Sequence, residues 1–171
     1  DSLVATSLLL RPLSAELLPP DPNAPTRELR YSLSDRAYVA VFVILPGHGV
    51  AVLYPFNPPS RQEDAGNHFL PLQPAQIRQD QRASALLSEG DRADKSYLLL
   101  VASRQPLRVD PFLRRQEALD SALGPAFQRG ESMDAVVVGL VKLVTNVSSA
   151  DDIAYDVQLT REVIPRRASR P

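Results

Sequence analysis

The chain has no cysteine and no tryptophan, a single methionine, and only two histidines, His48 and His68. Without cysteine this chain has no disulfide, no thiolate nucleophile, no cysteine-ligated metal and no lipid-bearing cysteine. Aromatic residues amount to 6%, and the missing tryptophan weakens any reading as a carbohydrate-stacking platform. A long hydrophobic run is also lacking. The two longest candidates, YVAVFVILPGHGVAVLYPF and AVVVGLVKLV, are respectively interrupted at Pro46-Gly47 and too short for the roughly 20 residues that cross a bilayer. Charge of one sign is not in excess either: the net charge is -1, so no overall basic field draws the chain to nucleic acid or anionic lipid.

What is present describes a folded domain. The 171 residues are 44% hydrophobic and 23% charged, an ordinary globular composition with enough length to bury a core. The chain opens on Asp1 rather than methionine, which suggests a trimmed or processed terminus, a removed signal segment being one explanation. With 16 prolines and no cysteine, it suits an extracytoplasmic bacterial protein.

Residues 1–26 read as an arm and linker. SLVATSLLL and RPLSAELL are split by Pro12, and PPDPNAPT then carries Pro19, Pro20, Pro22 and Pro25, an extended stretch. From Arg27 the pattern changes. RELRYSLS alternates, placing Leu29, Tyr31 and Leu33 on one face of a half-buried strand. AYVAVFVIL is almost continuously apolar and β-branched, as a central strand is, and GVAVLYPF is its hairpin partner around Pro46-Gly47-His48-Gly49. A polar loop, RQEDAGN, precedes a short strand at HFLPL; residues 74–87 read as irregular or a short helix, and SYLLLVAS as a second buried strand. Asp110, Pro111 and the spacing of Phe112, Leu113, Ala118, Leu119 and Leu123 predict a helix that stops at Gly124-Pro125. SMDAVVVGLVKLVTNV fits two readings. Ser132 could cap a helix with Val136, Leu140, Leu143 and Val144 inward, while its valines equally suit a strand. IAYDVQLTREVI alternates and predicts a last strand before a basic tail, PRRASRP. The expected fold is mainly β with one or two helices: an antiparallel, sandwich-like domain over 27–165, a helix packing late, and a tail at 166–171.

Chemistry is thinly supplied. A hydrolytic triad needs a base, and only His48 and His68 qualify; there is no Gly-x-Ser-x-Gly elbow. His48 sits between two glycines at a hairpin tip, and His68 follows a loop holding Glu63 and Asp64 without the paired histidines of a transition-metal site. Both read as surface residues. Asp151-Asp152 lacks the carboxylate spacing of a calcium loop and reads as a turn. Gly47 and Gly49 lack the lysine and helix of a phosphate loop, and Asn146-Val147-Ser148 is a bare glycosylation sequon. Arginine pairs at Arg114-Arg115 and Arg166-Arg167, with Arg170 behind, suit a solvated face and tail or a contact with an acidic partner or headgroups.

YSLSDRAYVAVFVILPGHGVAVLYPF, then FLPL and SYLLLVASRQPL, resemble a family of exported bacterial domains of unknown function. The matching positions are Tyr38, Phe42, Gly49, Leu53, Pro55, Leu70, Pro71, Ala102, Ser103, Pro106 and Leu107, and the likeness runs from about Glu28 to Pro165. It implies an exported or surface-associated module often attached to others, and carries over no catalytic residue. That family often begins behind a lipidated cysteine or a partner domain, whereas this chain starts at Asp1, so the resemblance leaves its anchoring open.

These readings lead to an expectation of a non-catalytic, extracytoplasmic interaction module, in the periplasm or at the cell surface and peripheral to the membrane. It would dock as an accessory subunit on a larger membrane-associated assembly, without enzymatic activity, cofactor, metal or nucleic acid. Leu8, Leu9, Leu10, Pro19, Pro20, Arg166, Arg167 and Arg170 are its candidate contacts. The alternatives are a domain binding a small ligand or an envelope polymer, and a hydrolase using His48 or His68.

Overall fold

A computed structural model describes residues 11–21, 23, 28–46, 49–55, 60–72, 96–109, 132–145 and 150–164. Two antiparallel sheets and one long helix form three layers. The small sheet runs β1 (Ala15–Leu18), β2 (Glu28–Leu33) and β6 (Gly66–Pro71), in that spatial order. The large sheet runs β4 (Gly49–Tyr54), β3 (Ala37–Leu45), β7 (Tyr97–Ser103) and β8 (Ile153–Leu159), with the two-residue β5 (Gln62–Glu63) pairing at the start of β3. Helix α1 spans Met133–Val144, and a single helical turn, α2, spans Thr160–Val163. The domain is mainly β, sandwich-like, with its helices late in the chain.

The continuous apolarity of β3 follows from its position. Val39, Val41 and Val43 face the small sheet, while Ala40, Phe42 and Ile44 face α1. A strand covered on both faces needs no polar alternation. β7 is built the same way, with Leu98 and Leu100 on one side and Leu99 and Val101 on the other. β2 has one covered face only, and Leu29, Tyr31 and Leu33 are its buried residues.

The open choice at 132–145 falls to helix. The Ser132 side chain accepts from the Ala135 N–H at 3.3 Å, Asp134 lies in the first turn and Lys142 in the last, in accord with the helix dipole. Val136, Leu140 and Val144 are buried together with Val137 and Val141, while Leu143 is half-buried at the margin. Covering the second face of the large sheet is worth more than the valines' modest preference for strand.

Two expectations are corrected. Ala15–Leu18, read as part of an arm, is a strand of the small sheet, and Leu13 and Leu17 enter its core. Four prolines close behind it concealed a two-residue alternation. At the other end, the last strand stops at Leu159 rather than running through Ile164. The Thr160 N–H donates to the Ser96 carbonyl at 2.9 Å and the two hydroxyls lie 2.7 Å apart, turning the chain so that Val163 and Ile164 drop between the sheets. The helix predicted over 110–123 and the segment 74–87 lie outside the described residues.

Candidate functional site

The pair β2–β6 carries the side chains that stand out chemically, and its register sorts them onto two faces. Leu18, Arg30 and Phe69 are cross-strand neighbours in one row, with Glu16, Ser32 and Asn67 in the next and Glu28 opposite Pro71. These residues alternate with buried Leu17, Tyr31 and Leu70, so they form the outward face of the small sheet. Arg30 lies over the Phe69 ring at 4.7 Å from its centroid. Its guanidinium also binds Glu28 at 2.8 Å and Asp21 at 3.2 Å. Two carboxylates thereby hold a flat cation on an aromatic ring that stays 56% exposed. Such stacking contributes about 0.5–1 kcal/mol at a surface.

The inner face of the same pair holds Tyr31 opposite His68, their rings stacked 5.2 Å apart at 16°. The Tyr31 hydroxyl donates to the Glu63 carboxylate. His68 Nδ1 is 3.5 Å from that carboxylate, and Nε2 is 2.6 Å from the Asp64 carbonyl. Burial pushes the Tyr31 hydroxyl far above its ordinary range, and its bond to Glu63 adds to the rise. Tyr54 is pushed up to about 12, again by burial first and then by Glu63. Glu63 thus clamps β5 to the small sheet.

His68 is half-buried rather than a surface residue, because strand alternation turns it inward beneath Tyr31. Both its ring nitrogens face acceptors of the β5–β6 turn, an arrangement suited to fixing that turn. Among the described residues no group of three or more His, Asp or Glu is placed to hold a metal ion. His48 lies outside the described residues. Asp151 and Asp152 form a 3₁₀ turn (Ala150–Asp152) as expected of a turn before the last strand, and it is tied down: Arg104 binds the Asp151 carbonyl at 2.8 Å and the Asp152 carboxylate at 3.2 Å.

Of the contacts read from the sequence, Pro19 is exposed and Pro20 half-buried, directly following Leu18 at the end of the Leu18–Arg30–Phe69 row. Leu8, Leu9, Leu10, Arg166, Arg167 and Arg170 lie outside the described residues. Sequence reasoning missed Arg30 and Phe69. The alternation of HFLPL put Phe69 and Leu70 on opposite faces, but only the pairing with β2 decides which face is covered.

A second feature lies at the seam between the sheets. The β1 edge approaches β8, where the Leu17 N–H donates to Asp156 at 2.8 Å, and a polar cleft of about 300 Å³ opens among Ser14, Glu16, Ser32, Asp156 and Gln158. No family model, curated protein or solved structure matches this chain. No helix among the described residues is long and apolar enough to cross a membrane.

Proposed function

We propose that this chain is a non-catalytic interaction module, an accessory subunit that docks on a larger membrane-associated assembly outside the cytoplasm. The observation that carries the reading is the Leu18–Arg30–Phe69 row, with Phe69 exposed on an edge strand and Pro19-Pro20 at its far end. Exposed aromatic and arginine side chains held rigidly are the residue types that concentrate binding energy in protein interfaces. Export and attachment to other modules are what the family resemblance adds. The arrangement around His68, whose nitrogens are occupied by the β5–β6 turn, supports a structural role for it over a hydrolytic one.

The test is the native mass of the particle containing this chain in a gently solubilised membrane fraction, with and without Phe69→Ala. A particle much larger than 18.8 kDa that the substitution releases to monomer is the expected result. A free monomer in the wild type overturns the proposal. The polar cleft at the β1–β8 seam favours a second reading, binding of a small polar ligand or envelope glycan, for which stabilisation of the chain against heat by muropeptides is the readout.

A further inference from the structure

The two outer strands of the small sheet end differently. Ser34 N–H donates to the Ser14 carbonyl at 3.0 Å, and the register continues through Glu16↔Ser32 and Leu18↔Arg30. In an antiparallel ladder the main-chain groups of alternate residues point to opposite neighbours. The even-numbered residues of β2 therefore pair toward β1, and Leu29, Tyr31 and Leu33 pair toward Leu70, His68 and Gly66. The β1 edge is tied to the rest of the chain: the Leu17 N–H donates to Asp156 and, just before the strand, the Leu13 N–H to the Asp151 carbonyl, both at 2.8 Å. On β6 the outward groups are the N–H and C=O of Asn67 and Phe69, with the Pro71 carbonyl beyond. No strand among the described residues pairs with that edge.

We infer that the β6 edge receives an extended, basic segment of another protein as a fourth strand of the small sheet. The inference rests on the docking role proposed above for this face. Pairing with Asn67 and Phe69 supplies about four main-chain hydrogen bonds and sets alternate side chains of the incoming strand beside the exposed Phe69 ring. Charge selects the occupant. Glu16, Asp21 and Glu28 stand on this face against Arg30, which two of them already hold. Lysine or arginine flanking an apolar residue complements that surface, whereas a second copy of the chain would bring the same excess of carboxylates to it.

The experiment titrates the ¹⁵N-labelled full chain with a blocked peptide of about eight residues alternating lysine and valine, a length that covers one strand, and with its glutamate–valine counterpart. The lysine peptide is expected to shift the Asn67 and Phe69 amides saturably, more weakly at high salt, and Phe69→Ala to weaken it about tenfold. Equal binding of both peptides, or of neither, overturns strand addition by a basic segment. Concentration-dependent shifts at Asn67 and Phe69 without peptide overturn it in favour of a second copy. If the lysine peptide fails while Phe69→Ala still releases the chain from a large particle, the docking face stands and the added strand falls; if the wild type also runs as a monomer, both fall.

Discussion

The backbone N–H of Leu17 and the carboxylate of Asp156, 139 residues apart in sequence, meet at 2.8 Å and join the edge of the small sheet to the last strand of the large one. The other carboxylate oxygen accepts from Gln158 Nε2 at 3.2 Å. Asp156→Ala leaves a partly buried amide without an acceptor, a loss of about 1–3 kcal/mol. Asp156→Asn keeps an acceptor in place and should recover most of that loss. Urea unfolding of the three proteins checks the order; equal stability of Ala and wild type would show that this bond contributes nothing.

Arg104 gathers three parts of the chain around one guanidinium. Nη2 binds the Arg11 carbonyl at 2.7 Å and Asp35 at 3.2 Å, Nη1 binds the Asp151 carbonyl and the Asp152 side chain, and the Arg104 N–H donates to the Asp152 carbonyl. A lysine cannot span this set, because one ammonium replaces a planar fork of donors. Arg104→Lys should therefore lose most of what Arg104→Ala loses, and a lysine variant as stable as wild type refutes the role.

Asp35 makes the same junction sensitive to acid. The Arg36 backbone N–H and then Arg104 hold its carboxyl below the ordinary value of 3.8. A carboxylate with a depressed pKa in the fold stabilises above its unfolded value, and that stabilisation disappears as pH falls through the folded value. The difference in melting temperature between wild type and Asp35→Asn should be constant from neutral pH down to about 5 and shrink below 4. A difference that persists unchanged into stronger acid assigns the effect to something other than charge.

The tyrosines give the opposite limb. Tyr54, pushed up to about 12, and Tyr31, pushed higher, favour the neutral phenol in the fold. The stability this represents is complete below the unfolded value near 10 and is lost as pH rises through the folded values. Tyrosinate absorbance from Tyr31 and Tyr54 should appear at high pH only as the chain unfolds. Ionisation of these two phenols while the chain is still folded contradicts their buried placement around Glu63.

The elements that were legible in the sequence are those whose burial is set by their own alternation or continuity. Leu29, Tyr31 and Leu33 marked a one-sided strand, and AYVAVFVIL a strand covered on both sides. β1 was hidden because the strand is short, with Leu17 its one buried residue and Pro12, Pro19 and Pro20 close by, and because this segment is held by groups distant in sequence, Ser34, Asp151 and Asp156. The valines of 136–138 suit helix and strand alike, and it is the uncovered face of the large sheet that selects the helix. The Leu18–Arg30–Phe69 row was illegible for the same reason: its residues come from three strands, and no spacing in one segment brings them together.

Phe69 should separate binding from folding. It is 56% exposed and its ring lies against the Arg30 guanidinium, which Asp21 and Glu28 hold independently. Phe69→Ala should cost no more than about 1 kcal/mol of stability, the size of a surface cation–π contact, while abolishing docking. Leu70, its neighbour in sequence, is buried on the opposite face, and Leu70→Ala should cost about 2–5 kcal/mol and reduce docking only as far as the chain unfolds. A double-mutant cycle with Arg30→Gln then isolates the stacked pair. If Phe69→Ala destabilises the chain as much as Leu70→Ala, the ring belongs to the core and the outer face of the small sheet is not a docking surface.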